Sequence, residues 1–153
     1  MGLFDAIGSV IGAVCSAVGS VCSAVGGAIA AGISTLATAI APYLATVATI
    51  VSAIANVLGI FKENDRPEHL AQAMEQMDKK PEDFDSINEY IDYLREGIRS
   101  GEVKLNDNLS DIQKAAYTAT GAALGIKAID EKYQLQTSDE FWGAMGKNSK
   151  KAR

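Results

Sequence analysis

Few side chains in this sequence belong to the types that build catalytic or metal sites. The strongest candidates are two cysteines, Cys15 and Cys22, and a single histidine, His69. His69 has no cysteine or second histidine at the spacing of a zinc ligand set, and no serine and acid can be assigned to it as a triad. Glycine-rich phosphate-binding motifs are also absent. The sequence therefore predicts no metal, no cofactor and no enzymatic activity.

The two cysteines are seven residues apart, which places them on one face of a helix. Their separation along the helix axis is then about 10 Å. This is too far for a disulfide between them, because bridged Cα atoms lie within about 7 Å. The favoured interpretation is a pair of small, buried packing thiols, and the alternative is crosslinking between molecules.

Charged residues are distributed unevenly along the chain, and this pattern indicates how its helices are organised. All 14 Lys and Arg follow Phe61, and Asp5 is the only acidic residue before it. The 56 residues 6–61, called the uncharged segment below, would measure roughly 84 Å as helix, enough for two crossings of a bilayer core of about 30 Å. We therefore divide the chain into a membrane-active helical hairpin, 1–61, and a soluble helical module with a basic tail, 62–153. With a net charge of −5, no basic face for nucleic acid is visible.

A seven-residue repeat marks the first part of the uncharged segment. Residues 12–18 read GAVCSAV and residues 19–25 read GSVCSAV. Because seven residues make two helical turns, the repeat lays small residues along one stripe and valines along another. The small stripe consists of Gly8, Gly12, Cys15, Gly19, Cys22 and Gly26. Such a stripe lets a second backbone approach closely, which drives helix association in lipid, and we expect it to mediate insertion and homo-oligomerisation.

The second part of the segment carries larger side chains at similar steps. This bulky stripe consists of Ile40, Leu44, Val47, Val51, Ile54 and Leu58. The spacing predicts one helix near 6–31 and a second near 34–60. The hinge is expected around residues 32–34, or alternatively near Pro42. The two helices form a glycine-zipper hairpin, and we expect both the small and the bulky stripe to take part in membrane insertion.

Residues 62–153 read as further helices, so the whole chain is predicted to be all-α. One helix begins at Pro67, and a second, after a turn near Pro81, ends close to Gly101. Ser110 and Gln113 form a capping box for a third helix to about Tyr133, and Ser138 begins a short last one. Residues 115–126 are uncharged, but a buried core helix is favoured over a third span because twelve residues are short for a crossing.

The opening MGLFDAIGSVIGAVCSAV and its repeats resemble the small membrane-targeting effectors of bacterial type VI secretion. The resemblance is specific over residues 2–61 and only compatible over 62–153. It implies a toxin carried by the ring-shaped haemolysin-coregulated protein, exported from the producer cytoplasm without a cleaved signal peptide. It further implies insertion in the target cell's inner membrane, ion-conducting pores, depolarisation, and a cognate immunity protein in the producer.

Two alternative functions remain open from the residues. The chain could be a phage, virion or membrane-associated structural protein that uses the hairpin for assembly without toxicity. Residues 62–153 could also form an enzyme that the hairpin targets to its site of action. Collapse of membrane potential on expression separates a pore from the first alternative, and expression of 62–153 alone tests the second.

Overall fold

The uncharged segment folds as three consecutive helices. The computed structural model describes residues 3–62 and 64–133, with side-chain surroundings from Gly12 onward. The helices are α1 (Leu3–Val25), α2 (Ala28–Ile40) and α3 (Leu44–Val57), and a 3₁₀ turn (Ala41–Tyr43) joins the last two. The predicted short helix after Ser138 and the basic tail lie outside the described residues.

The first helix ends earlier than the repeat predicts. Gly26 and Gly27 have φ of +79° and +99°, a left-handed region in which only glycine is free of a steric penalty. The tandem pair therefore stops α1 at Val25 and starts α2 at Ala28. The predicted hinge at residues 32–34 is wrong, since Gly32 lies within α2.

Pro42 produces a smaller interruption. It lies at the start of the 3₁₀ turn, where its missing N–H is tolerated. Ala41 and Leu44, on either side, keep right-handed helical dihedral angles. As a result, Ala28–Val57 is one helical stretch of 30 residues with a local change of pitch.

The charged half contributes three more helices, close to their predicted positions. They are α4 (Pro67–Gln76), α5 (Ile87–Ser100) and α6 (Asp111–Tyr133), with a 3₁₀ turn (Pro81–Asp83) between the first two. Gly101 ends α5 with φ of +86°. The capping box is present, since the Gln113 N–H donates to Ser110 Oγ and the Ser110 N–H donates to Gln113 Oε1, both at 3.2 Å. The all-α prediction is confirmed.

Helix α6 forms the centre of the fold. It packs against each of the other five helices, and residues 119–126 are buried without interruption, so no face of this stretch is left to solvent. The uncharged and charged halves share one hydrophobic core around it. Described residues of both halves thus contribute to one core, and the division into a membrane-active hairpin, 1–61, and a soluble module, 62–153, stays a prediction.

Two glycines of α6 allow the close approach of neighbouring chain. A Cβ on Gly121 would collide with the backbone of Pro67, at the start of α4. A Cβ on Gly125 would lie 3.0 Å from both Val51 and Phe61. Gly121 and Gly125, which form a GxxxG step on α6, therefore allow tight packing within the chain.

Gly121→Ala should destabilise the fold by about 3 kcal/mol, because the added methyl must displace backbone. Urea unfolding followed by helical circular dichroism measures the loss. Gly12→Ala is the matched control: a Cβ there meets nothing within 4 Å, so the change should leave stability equal or raise it by up to about 1 kcal/mol through helix propensity. Equal stability of the two variants would contradict the packing of α6 on Pro67.

Candidate membrane-insertion segment

The best candidate for a membrane span is Ala28–Val57. It is long and apolar enough to cross a bilayer, and 22% of its most apolar window is buried in the fold. A core helix can pass the same length and composition test, but it is mostly buried. Here one side of the helical stretch is covered by protein, and the other side faces outward.

The buried side of this stretch carries the bulky stripe. Ile40, Val47 and Val51 are fully buried. Leu44, Ile54 and Leu58 are partly buried and pack against the same core. Helices α2 and α3 both pack against α6, and α2 also packs against α1. The six residues predicted from spacing thus belong to one face, and in water that face is covered.

The outward side is uncharged but not strongly apolar. Its exposed residues are Ala28, Ala31, Thr35, Thr38, Pro42, Ala45, Thr49, Ala53, Asn56 and Val57. The hydroxyls of Thr35 and Thr49 donate to the carbonyls of Ala31 and Ala45, one turn earlier. A threonine bonded in this way presents its methyl group and needs no water. This surface is therefore compatible with both water and lipid.

Helix α1 packs against its neighbouring helices through its valines. Val14, Val18, Val21 and Val25 are all buried, and α1 contacts α6 and α2. The part of α1 whose side chains are described, Gly12–Val25, is apolar but shorter than a membrane span. The valine stripe of the repeat is therefore the contact face within this chain.

The small stripe is divided between the surface and the core. Added Cβ atoms on Gly12 and Gly19 would meet nothing within 4 Å. Cys15 is half-buried, Cys22 is buried, and both are free thiols. Gly26 lies beyond the end of α1, so the prediction of one continuous helical stripe to Gly26 is wrong. Gly8 lies on α1, where only the backbone is described. Oligomerisation through this stripe stays a prediction.

The end of the uncharged segment is fixed by an ion pair, called the Asp65–Arg95 anchor below. Arg95 Nε donates to Asp65 Oδ2 at 2.8 Å, and Arg95 Nη2 donates to the Ile60 carbonyl at 3.0 Å. Asp65 also accepts the N–H of Lys62 at 2.7 Å. Burial lowers the pKa of Arg95, but its hydrogen bonds to Asp65 and Asp92 outweigh burial and the pKa is raised. Arg95 therefore keeps its positive charge, and its hydrogen bond to the Ile60 carbonyl fixes the backbone where the uncharged segment ends.

A cleft of about 340 Å³ adjoins this anchor and includes His69 in its lining. Its arginines have acidic partners nearby: Arg66 lies 3.9 Å from Glu68, Arg95 pairs with Asp65, and Arg99 pairs with Glu96. In the described part of the chain, no three His, Cys, Asp or Glu residues are grouped as a metal site. We assign the cleft no ligand.

Sequence reasoning missed three features of this site. The Gly26–Gly27 hinge is visible in the sequence as a glycine pair, but the seven-residue pattern continues through it and predicts a helix to residue 31. The contacts of Glu82 and Lys132 with Ile29 and Leu58, at the two ends of the Ala28–Val57 stretch, join residues 53 and 74 positions apart. Separations of that size leave no local sequence signal.

Comparisons with known proteins identify no relatives. A scan against protein-family models, a search of curated proteins and a search of solved structures each found no match.

Asp65→Ala should destabilise the fold by about 2–3 kcal/mol, because it leaves a partly buried guanidinium without its main partner. The Asp65 side chain is 6% exposed and that of Arg95 is 22% exposed. Thermal unfolding measures the loss. Glu96→Ala, which removes the exposed partner of Arg99, is the control and should have no measurable effect. Similar melting temperatures for both variants would show that the anchor does not hold the segment.

Proposed function

We propose that this chain is a pore-forming membrane protein whose uncharged segment leaves α6 and inserts in a bilayer. The observation that carries the proposal is Ala28–Val57, a helical stretch of 30 residues without a charge that is long enough to span. A helix satisfies its backbone hydrogen bonds internally, so it can pass from protein to lipid without exposing unpaired backbone groups.

Insertion replaces the protein cover of the bulky stripe with lipid, while α6 loses the cover of its own buried face. In water, the bulky stripe needs cover, and α6 supplies it. In lipid, acyl chains cover the same side chains, so the stripe itself loses little apolar contact. The outward side adds no charge to be desolvated. Release from α6, rather than entry into lipid, is thus the step that limits insertion in this proposal.

The open part of the small stripe supports association after insertion. An added Cβ on Gly12 or Gly19 would meet no atom within 4 Å in the part of the chain that the structure describes, so a second copy of α1 can approach there without displacing a described contact. Close backbone approach is the main source of helix association in lipid. The proposed pore is therefore a homo-oligomer that contacts along the Gly12 and Gly19 side of α1.

The biological setting of the proposal comes from the resemblance to type VI effectors. On that basis the chain is an antibacterial toxin, carried by the haemolysin-coregulated protein ring to the inner membrane of a target cell, where its pores depolarise the membrane. A cognate immunity protein protects the producer. Because the fold already covers its bulky stripe, the carrier in this proposal serves mainly for delivery.

A second function, assembly of a structural or membrane-associated particle without toxicity, is favoured by the same open stripe. Small-residue surfaces support helix association in proteins that conduct nothing. Expression in a host without an immunity gene distinguishes the two functions. A voltage-sensitive dye should report loss of membrane potential for a pore, whereas unchanged potential together with membrane association would favour assembly.

The double variant Gly12→Leu/Gly19→Leu should abolish pore formation while leaving the soluble fold intact, because both positions are open in the monomer but crowded in the proposed oligomer. Release of a trapped dye from vesicles, measured with the purified full chain, should fall at least tenfold. Circular dichroism and gel filtration check the fold.

The matched control is Ser20→Leu/Ala24→Leu, which introduces the same two leucine side chains at exposed positions of α1 that lie about 80° or more around the helix from Gly12 and Gly19. This variant should release dye as well as the unmodified chain. Undiminished release by the glycine variant would contradict the stripe as the oligomer contact. Absence of release by the unmodified chain would contradict the pore itself.

A further inference from the structure

Helices α2 and α3 carry no charged side chain that could neutralise their own ends. A helix leaves unpaired N–H groups at its start and carbonyls at its end, with partial positive and negative charge respectively. Most helices place an acid or a capping side chain at the first and a base at the second. In α2 the N-cap residue is Gly27, which has no side chain, and α3 has no basic residue in its last turn. The compensating groups must come from elsewhere in the chain.

Glu82 supplies the missing acid at the start of α2. Its Oε1 accepts the N–H of Ile29 at 3.1 Å, across 53 residues of sequence. Gly27 makes this contact possible in two ways. Its φ of +99° suits glycine, and a Cβ there would overlap the Glu82 carboxylate. Glycine at position 27 thus leaves room for the carboxylate of Glu82, which lies in the 3₁₀ turn before α5.

Lys132 supplies the missing base at the other end. Its Nζ donates to the carbonyl of Leu58 at 2.9 Å, across 74 residues. Leu58 is the C-cap of α3, so the ammonium meets the negative end of the helix. The Asp65–Arg95 anchor lies two residues further on, at Ile60. Charged side chains of the second half therefore hold the span candidate at both of its ends.

We propose that Glu82 and Lys132 form an electrostatic clamp that keeps the uncharged segment on α6 and must open before insertion. This inference rests on the membrane function proposed above and adds its regulation. Both side chains are exposed to water, and burying a Glu or Lys side chain in hydrocarbon is costly, so neither follows the segment into the bilayer. When the two contacts break, water or lipid headgroups take over the helix ends, and the bulky face can leave α6.

Amide hydrogen exchange in water, without lipid, tests the clamp in the full-length chain. Glu82→Ala and Lys132→Met each remove one contact, and loss of a helix-end partner should speed exchange of peptides covering 28–60 about fivefold. The double variant should speed it on the order of twentyfold. Glu102→Ala and Lys114→Met are the matched controls, since both are exposed residues whose side chains lie outside these contacts, and they should exchange like the unmodified chain.

Dye release from vesicles provides a second, separable measurement. The double variant should begin release with a lag at least fivefold shorter than that of the unmodified chain, whereas the controls should keep the original lag. Unchanged exchange in the double variant would overturn the clamp even if the unmodified chain releases dye. Failure of every variant to release dye, with exchange still accelerated, would instead overturn the proposed function and leave the clamp as a purely structural contact.

Discussion

A run of 56 uncharged residues can fold in water only if other parts of the chain cover its bulky side chains and neutralise its helix ends. Helix α6 meets the first need, because Gly121 and Gly125 leave room for Pro67, Phe61 and Val51 to pack closely. Charged side chains from the second half meet the other need at Ile29, Leu58 and Ile60. The fold therefore depends on charged side chains of the second half that form hydrogen bonds with the backbone of the uncharged segment.

The helices of the charged half could be predicted because their signals are local. The Ser110–Gln113 capping box and Gly101 lie within one turn of the ends they determine. The hinge was misplaced for the opposite reason. Helical periodicity continues through Gly26 and Gly27, and only their left-handed dihedral angles reveal the break. Gly32 offered an equally good breaker in sequence, yet it stays helical.

The residues of the candidate membrane-insertion segment could be predicted from the sequence. Which side of each helix faces the core could not. Spacing correctly grouped Ile40, Val47 and Val51 on one face, since a 3.6-residue period is enough for that. It could not tell whether the glycines or the valines of the repeat face the core. That choice depends on the partner: the valines are buried where α1 packs against the other helices, and an added Cβ on Gly12 or Gly19 would meet nothing within 4 Å among the described residues. A stripe left open in the monomer is then available to a second copy.

The most direct test of the central claim is a reversible tether between α3 and α6. A Cβ on Gly125 would lie 3.0 Å from a methyl of Val51, so Val51→Cys with Gly125→Cys, in a chain whose native cysteines are changed to alanine, places two thiols within disulfide reach. The account predicts that the oxidised protein releases no dye from vesicles and that reduction restores release. Equal release by the oxidised and reduced forms would show that the segment does not leave α6, and would contradict the account.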